Sequence, residues 1–380
     1  MFLISLGDIN KIIIQIIIGC IFNFLTELLF SYDGTKLFEH SIIPNLIASF
    51  AKLFTIIPLI ILKIRSKSEN KELDRNEKNN NKNIKLIYKD IKKGLISGKW
   101  YYIILTSVLV FIQGILLISS IEIKSNSWIL DILITSIFYF LIFKIKLYKH
   151  HYLSIIIIIL TGFILDLVFE NFQNDISNNF FLLIIRFLRE IIFSLVDIIN
   201  KYLMDKKFCS IYEITFYSGL IGFILYGILS IFNYYFFKLD DFGEYFNNFN
   251  TTEFLVWIAL IITTIGYYVF QIMTNKNNTP CHIFIIHVFG HIALYLDSST
   301  NSIVTIICFI FILFMSLIFN EIIEINICGL SENTKRNIIR RAKIDDLSVE
   351  KNFTINTEED FEKKDIELIE LNDDAFKALN

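Results

Sequence analysis

The sequence predicts an all-α membrane protein of about ten transmembrane helices, arranged as two inverted five-helix repeats. Three observations carry that expectation. The chain of 380 residues is 54% hydrophobic and only 19% charged, with a mean hydropathy of +0.57. Its apolar residues come in blocks of about 20, the number of helical residues that crosses a hydrocarbon core roughly 30 Å thick. Basic residues fill alternate connections between those blocks, as the positive-inside rule requires of a chain threaded back and forth. The net charge of −3 decides nothing, because the two signs are segregated along the chain rather than mixed. The excess of Ile, Asn, Lys and Phe has the look of a codon-composition bias and carries no functional meaning by itself.

The first block, 12–30, follows Asp8 and contains Glu27 with no small-residue cleavage site, so it is expected to be a retained span rather than a signal peptide. A second span is expected at 40–62. Lys63 and Arg65 then open a Lys/Asn-rich cytosolic linker, 63–98, whose first half is too polar to fold. Spans three to five are expected at 100–122, 127–143 and 152–170, completing a first repeat within 1–170. The second repeat, 171–323, begins with the stretch from Phe180 to Cys209 and continues with spans at 211–237, 253–273, 280–297 and 302–323. Thr279 and Pro280 suit the N-cap and first helical residue of the ninth span. Residues 324–380 form a cytosolic tail, largely disordered, with a basic half (KRNIIRRAK) and an acidic half from Glu358 to Asp374.

Orientation follows from the connections. Lys and Arg crowd the linker at 63–99, Lys144 to Lys149, Lys206 with Lys207, Lys276, and Lys335 to Lys343. The intervening connections carry only Lys36, Lys124 and Lys238. An even number of spans puts both termini on the basic, cytosolic side. A sequon at Asn250 falls in the longest connection of the opposite side. The five cysteines form no CxxC pair, which argues against a disulfide framework or a zinc site.

The sixth span is the unusual one. It is long enough to cross a bilayer, yet it carries Arg186, Arg189, Glu190, Asp197 and Lys201. At about 100° per residue, Asp197 falls about 20°, Glu190 about 40°, Lys201 about 60° and Ser194 about 80° from Arg186, with Asn200 and Arg189 within about 60° on the other side. One stripe therefore holds every strongly polar group up to Lys201, against a background of Leu, Ile, Phe and Val. A charge at mid-bilayer costs roughly 2.5–3.5 kcal/mol on insertion scales, so the stripe is expected to face protein or water. Arg186–Glu190 and Asp197–Lys201 are i,i+4 pairs that either neutralise one another within the bundle or line a path through it. The first span offers a matching polar face in Gly19, Asn23 and Glu27, with Lys52 of the second span as a partner for Glu27.

Further candidates are weaker. Asp166 and Gln113 are isolated polar residues in spans five and three. In span nine, His287 and His291 are one turn apart and share a face, whereas His282 does not. They suit proton coupling, solute hydrogen bonding or ordinary interhelical bonds. No acid or cysteine completes a metal set beside them, so no metal and no cofactor is expected. His150 and His151 lie at a membrane edge. Gly219, Gly222 and Gly227 of span seven suit close helix approach. No Walker loop, dinucleotide fingerprint, nucleophile elbow or HExxH is present, and nothing supports nucleic-acid binding.

The segments RFLREIIFSLVDIINKYLM (186–204), SIYEITFYSGLIG (210–222) and IFNEIIEINICGLSENTKRNI (318–338) resemble the drug/metabolite transporter superfamily, in particular its nucleotide-sugar-transporter-like and EamA-like branches. That resemblance, spread over 12–338, implies a secondary transporter in a Golgi or endoplasmic reticulum membrane. The reading of the residues adds a small polar, anionic solute bound by Arg186, Arg189, Glu190, Asp197, Glu27 and Asn23. Glu27, His287, His291 and Asp166 are its candidates for carrying a proton. Two alternatives stay open: a membrane enzyme acting on lipid through His287 and His291, and a non-transporting receptor or scaffold working through the 324–380 tail.

Overall fold

In the computed structural model, residues 6–32, 42–65, 98–119, 127–144, 147–168, 180–237, 251–296 and 303–323 are described, with Thr334 and Asn337. The linker from 66 to 97, Asn250 and nearly all of the tail lie outside them. Regular structure among the described residues is helical throughout. The helices are α1 (Leu6–Tyr32), α2 (Ile43–Leu53, resuming at 56–65), α3 (Lys99–Ser119), α4 (Asp131–Phe143) and α5 (Lys149–Val168), then α6 (Phe180–Lys207), α7 (Ile211–Phe237), α8 (Thr251–Asn277), α9 (Ile283–Leu296) and α10 (Ile303–Phe319). Each falls on a segment expected to be a span. Short 3₁₀ turns, Ser127–Leu130 and Pro280–His282, lead into α4 and α9.

Four helices are long and apolar enough to cross a membrane: Ile43–Arg65, Lys99–Leu116, Ile211–Phe236 and Phe254–Asn277. Shorter apolar helices occupy Ile13–Leu29, Trp128–Phe143, Lys149–Leu165, Pro280–Ile292 and Ile303–Phe319. Helix α6 has the length but not the apolarity, because its charges interrupt it. The outward faces are as greasy as the cores. Ile14, Ile17, Ile21, Leu25 and Leu28 form one exposed stripe on α1, and Ile224, Ile228 and Ile231 form another on α7. Water would penalise such continuous stripes, whereas lipid would not. These features are those of a membrane protein.

Helix α1 packs against α8 and α9, and α6 packs against α3 and α4. Helix α2 lies against α7 and α8, and α3 against α7. The described residues up to Leu147 and from His151 to Asn320 belong to one compact unit, while Tyr148–His150 and the described residues from Glu321 onward form a second. Within the second, His150 Nε2 lies 3.2 Å from Glu321 Oε1.

Glycines set the closest approaches, as interfaces in lipid require. A methyl group on Gly219 of α7 would lie 2.5 Å from Lys52 Cβ and 2.9 Å from the Ser49 carbonyl of α2. One on Gly222 would lie 2.8 Å from Ser49 Oγ, whereas one on Gly227 would meet nothing within 4 Å. The first two glycines therefore seat α2 and the third does not.

Helix α2 is broken where it passes this contact. Phe54 N–H bonds to the Ala51 carbonyl at 3.2 Å, Thr55 N–H to Lys52 at 3.1 Å and Ile57 N–H to Phe54 at 3.2 Å, so the ladder tightens to i,i+3. Pro58 explains this, since it has no N–H to offer the Phe54 carbonyl. The Thr55 hydroxyl adds a bond to the Lys52 carbonyl at 2.7 Å.

Replacing Gly219 with Val forces α2 and α7 apart against backbone as well as side chain. Its expected cost is about 1–3 kcal/mol of stability, with little change for Gly227→Ala, read as unfolding of the purified protein in detergent.

Candidate functional site

Helix α6 turns its polar stripe inward. Glu190, Ser194, Asp197, Asn200 and Lys201 are buried, whereas Ile184, Phe187 and Leu188 are exposed and Arg186 and Arg189 are half-buried. Arg189 Nε donates to Glu190 Oε1 at 3.0 Å, and Arg189 Nη2 engages the same oxygen. The expected Asp197–Lys201 pair does not form. Gln271 Nε2 of α8 donates to Asp197 Oδ1 at 3.5 Å, while Asn275 Nδ2 donates to the Asp197 backbone carbonyl at 2.7 Å. Lys201 Nζ instead donates to the Lys276 carbonyl at 2.8 Å and meets Asp205 at 3.4 Å. Its long stem reaches toward the helix end, where Asp205 is exposed.

The deepest polar knot is built on Asp131, a residue that the sequence reading missed. Asp131 opens α4 and is 4% exposed. Ser194 Oγ donates to Asp131 Oδ1 at 2.7 Å and Thr135 Oγ1 to the same atom at 3.0 Å. His287 Nδ1 lies 3.5 Å from Oδ2. The signal was present in the sequence: an acid inside the apolar run WILDILITS. An acidic group in the first turn also suits the positive end of the helix dipole.

His287 and His291 part company. His287 is buried, with its ring 4.7 Å from Phe193, and its Nε2 has no hydrogen-bond partner among the described residues. His291 stacks on Trp128 at 4.3 Å and stands within electrostatic reach of Arg186, Arg189 and His287. His282 serves the backbone: its Nδ1 accepts from the Thr279 N–H at 3.4 Å and lies 2.8 Å from Thr279 Oγ1, capping the turn that Pro280 begins.

On α1, Glu27 stands in the field of Arg189 rather than beside Lys52. Lys52 Nζ lies instead over the Tyr268 ring, 3.6 Å from its centroid, and Tyr268 in turn feels the charge of Glu27. Opposite charges on successive spans suggested a direct pair; Lys52 meets an aromatic ring of α8 instead. Tyr267 is within reach of Glu27, Asp197 and Asp131. Asn23, expected to meet solute, donates through Nδ2 to the Ile286 carbonyl of α9 at 2.9 Å. Asp166 lies in α5 with its side chain outside the described residues, and Gln113 is half-buried in α3.

Of the residues singled out in the sequence, the structure thus pairs Arg189 with Glu190 and sets Asp197 against Gln271, His287 beside Asp131 and His291 on Trp128. It adds Asp131, Thr135, Tyr268 and Gln271, which the sequence did not single out. The chain matches no protein-family model and no curated protein.

Ser194→Ala removes a donor from a buried carboxylate and is expected to cost about 1–3 kcal/mol of stability. In an Asp131→Asn background that loss shrinks, and a double-mutant cycle on unfolding in detergent reads the difference as the coupling of the two groups.

Proposed function

We propose that the protein is a secondary transporter that carries a small polar, anionic organic solute across a membrane by alternating access. The observation that carries this reading is the number of ionisable side chains buried within an otherwise apolar bundle. They include Lys52 on the face of Tyr268, Glu190 paired with Arg189, Asp197 with Gln271, and Asp131 with Ser194 and His287. Intramembrane ionisable groups are costly and mark solute or proton pathways. A purely structural bundle would meet its polar needs with fewer charges.

Two further observations support the reading. When each helix n is exchanged with helix n+5, the packed pair α1–α8 becomes α6–α3, and α1–α9 becomes α6–α4. Likewise α2–α8 becomes α7–α3, and α2–α7 maps onto itself. That correspondence favours two five-helix repeats, whose shared interface is where carriers of this architecture bind. The likeness of 186–204, 210–222 and 318–338 to the drug/metabolite transporter superfamily points the same way. In this reading Arg186 and Arg189 attract the solute, and Glu190 and Asp197 balance the charge. Glu27 and His287 serve as proton carriers, and the membrane is that of the Golgi or endoplasmic reticulum with both termini cytosolic. The burial of His287 beside Asp131 favours this carrier over an enzyme attacking lipid from the bilayer.

The test is uptake by the purified protein in liposomes, screened against nucleotide sugars, phosphorylated sugars and amines. An anionic solute is expected to accumulate, and Arg189→Gln to slow its uptake at least about tenfold, a barrier change of about 1.4 kcal/mol. Undiminished uptake by folded Arg189→Gln would remove α6 from the path.

A further inference from the structure

Lys52 stands apart from the other buried charges. Arg189 has Glu190, Asp131 has Ser194, Thr135 and His287, and Lys201 has Asp205. Lys52 is 4% exposed, yet no carboxylate pairs with it among the described residues. Its ammonium rests on the face of Tyr268. A ring face attracts a cation but returns only a fraction of what removing an ammonium from water costs.

Its surroundings hold the side chain in place. The backbone of α7 at Gly219 closes on the Lys52 stem, and a methyl there would lie 2.5 Å from its Cβ. The Lys52 carbonyl takes both the Thr55 hydroxyl and the Thr55 N–H, so the residue sits at the break in α2. Interrupted membrane helices are where carriers expose polar groups to a bound solute. Glu27, the acid expected to pair with it, forms no salt bridge with Lys52, which lies over the Tyr268 ring instead.

We infer that Lys52 is an anion-binding site, in which the phosphate or carboxylate of a solute supplies the counter-charge that no described residue provides, beside the ring of Tyr268. This deepens the carrier reading and rests on it for the role in transport; the binding itself does not depend on transport. Lys52 is then the primary anchor, because it is uncommitted where Arg189 is tied to Glu190.

The experiment is a thermal-unfolding titration of the full-length protein in detergent with inorganic phosphate, uridine monophosphate and acetate, at ionic strength held constant with chloride. Wild type is expected to show a saturating rise in melting temperature with at least one of the three anions, and Lys52→Arg to keep it. Lys52→Met and Lys52→Gln are expected to lose the rise while melting no lower than wild type without ligand, since each removes an uncompensated buried charge. Absence of any rise in wild type, or a rise undiminished in Lys52→Met or Lys52→Gln, would overturn the site. So would ligand-free melting well below wild type in both neutral variants, or their failure to fold, which would make Lys52 a structural residue. Lys52-dependent anion binding without uptake of any solute would leave this site standing and sink the carrier reading instead.

Discussion

The carboxylate of Asp131 is the interaction on which the bundle turns. An ionised carboxyl buried without donors costs several kcal/mol, so its position dictates where donors must stand. Ser194 comes from α6, Thr135 from α4 itself and His287 from α9. Those bonds fix the rotation of three helices about their own axes. The same demand is repeated at Asp197, which draws Gln271 and Asn275 from α8. Lipid supplies no hydrophobic drive for helices to associate, so polar links and glycine contacts carry the arrangement.

Much of this was legible before any coordinates. Helix positions could be read because apolar blocks of spanning length are separated by polar connections. The inward turn of α6 could be read because its charges stand out against Ile, Leu and Phe, and helical periodicity then leaves them only one face. What the sequence could not disclose was partnership. Asp131 is a solitary acid at the start of an apolar run, and its importance depends on Ser194 and His287, residues far away in the chain. In place of the expected Glu27–Lys52 pair, Lys52 rests on the ring of Tyr268, and a ring from a distant helix beneath a cation is a tertiary fact. Asn23, expected to meet solute, also holds a backbone carbonyl of α9 through its Nδ2, a partner that no comparison of side chains reveals.

The two kinds of surface are sharply divided. Exposed large side chains on α1, α7 and α10 are apolar or aromatic, while Asp131, Glu190, Asp197, Lys201, Lys52 and His287 are buried within the bundle. A chain rich in Ile and Phe has ample apolar material for the first task. The second is assigned to few residues, which is why changes at Ser194 or Gly219 carry more weight than changes to any single outward Ile.

The bond from Asn23 to Ile286 has a mechanical consequence. Helix geometry already gives the Ile286 carbonyl the Gly290 amide, so Asn23 occupies its second lone pair. Gly290 has no side chain to keep that amide group away. The latch therefore needs no distortion of α9 and competes with nothing inside it. A rotation of α9 about its axis would have to carry α1 along, so the two helices behave as a single lever although more than two hundred and fifty residues of chain separate them.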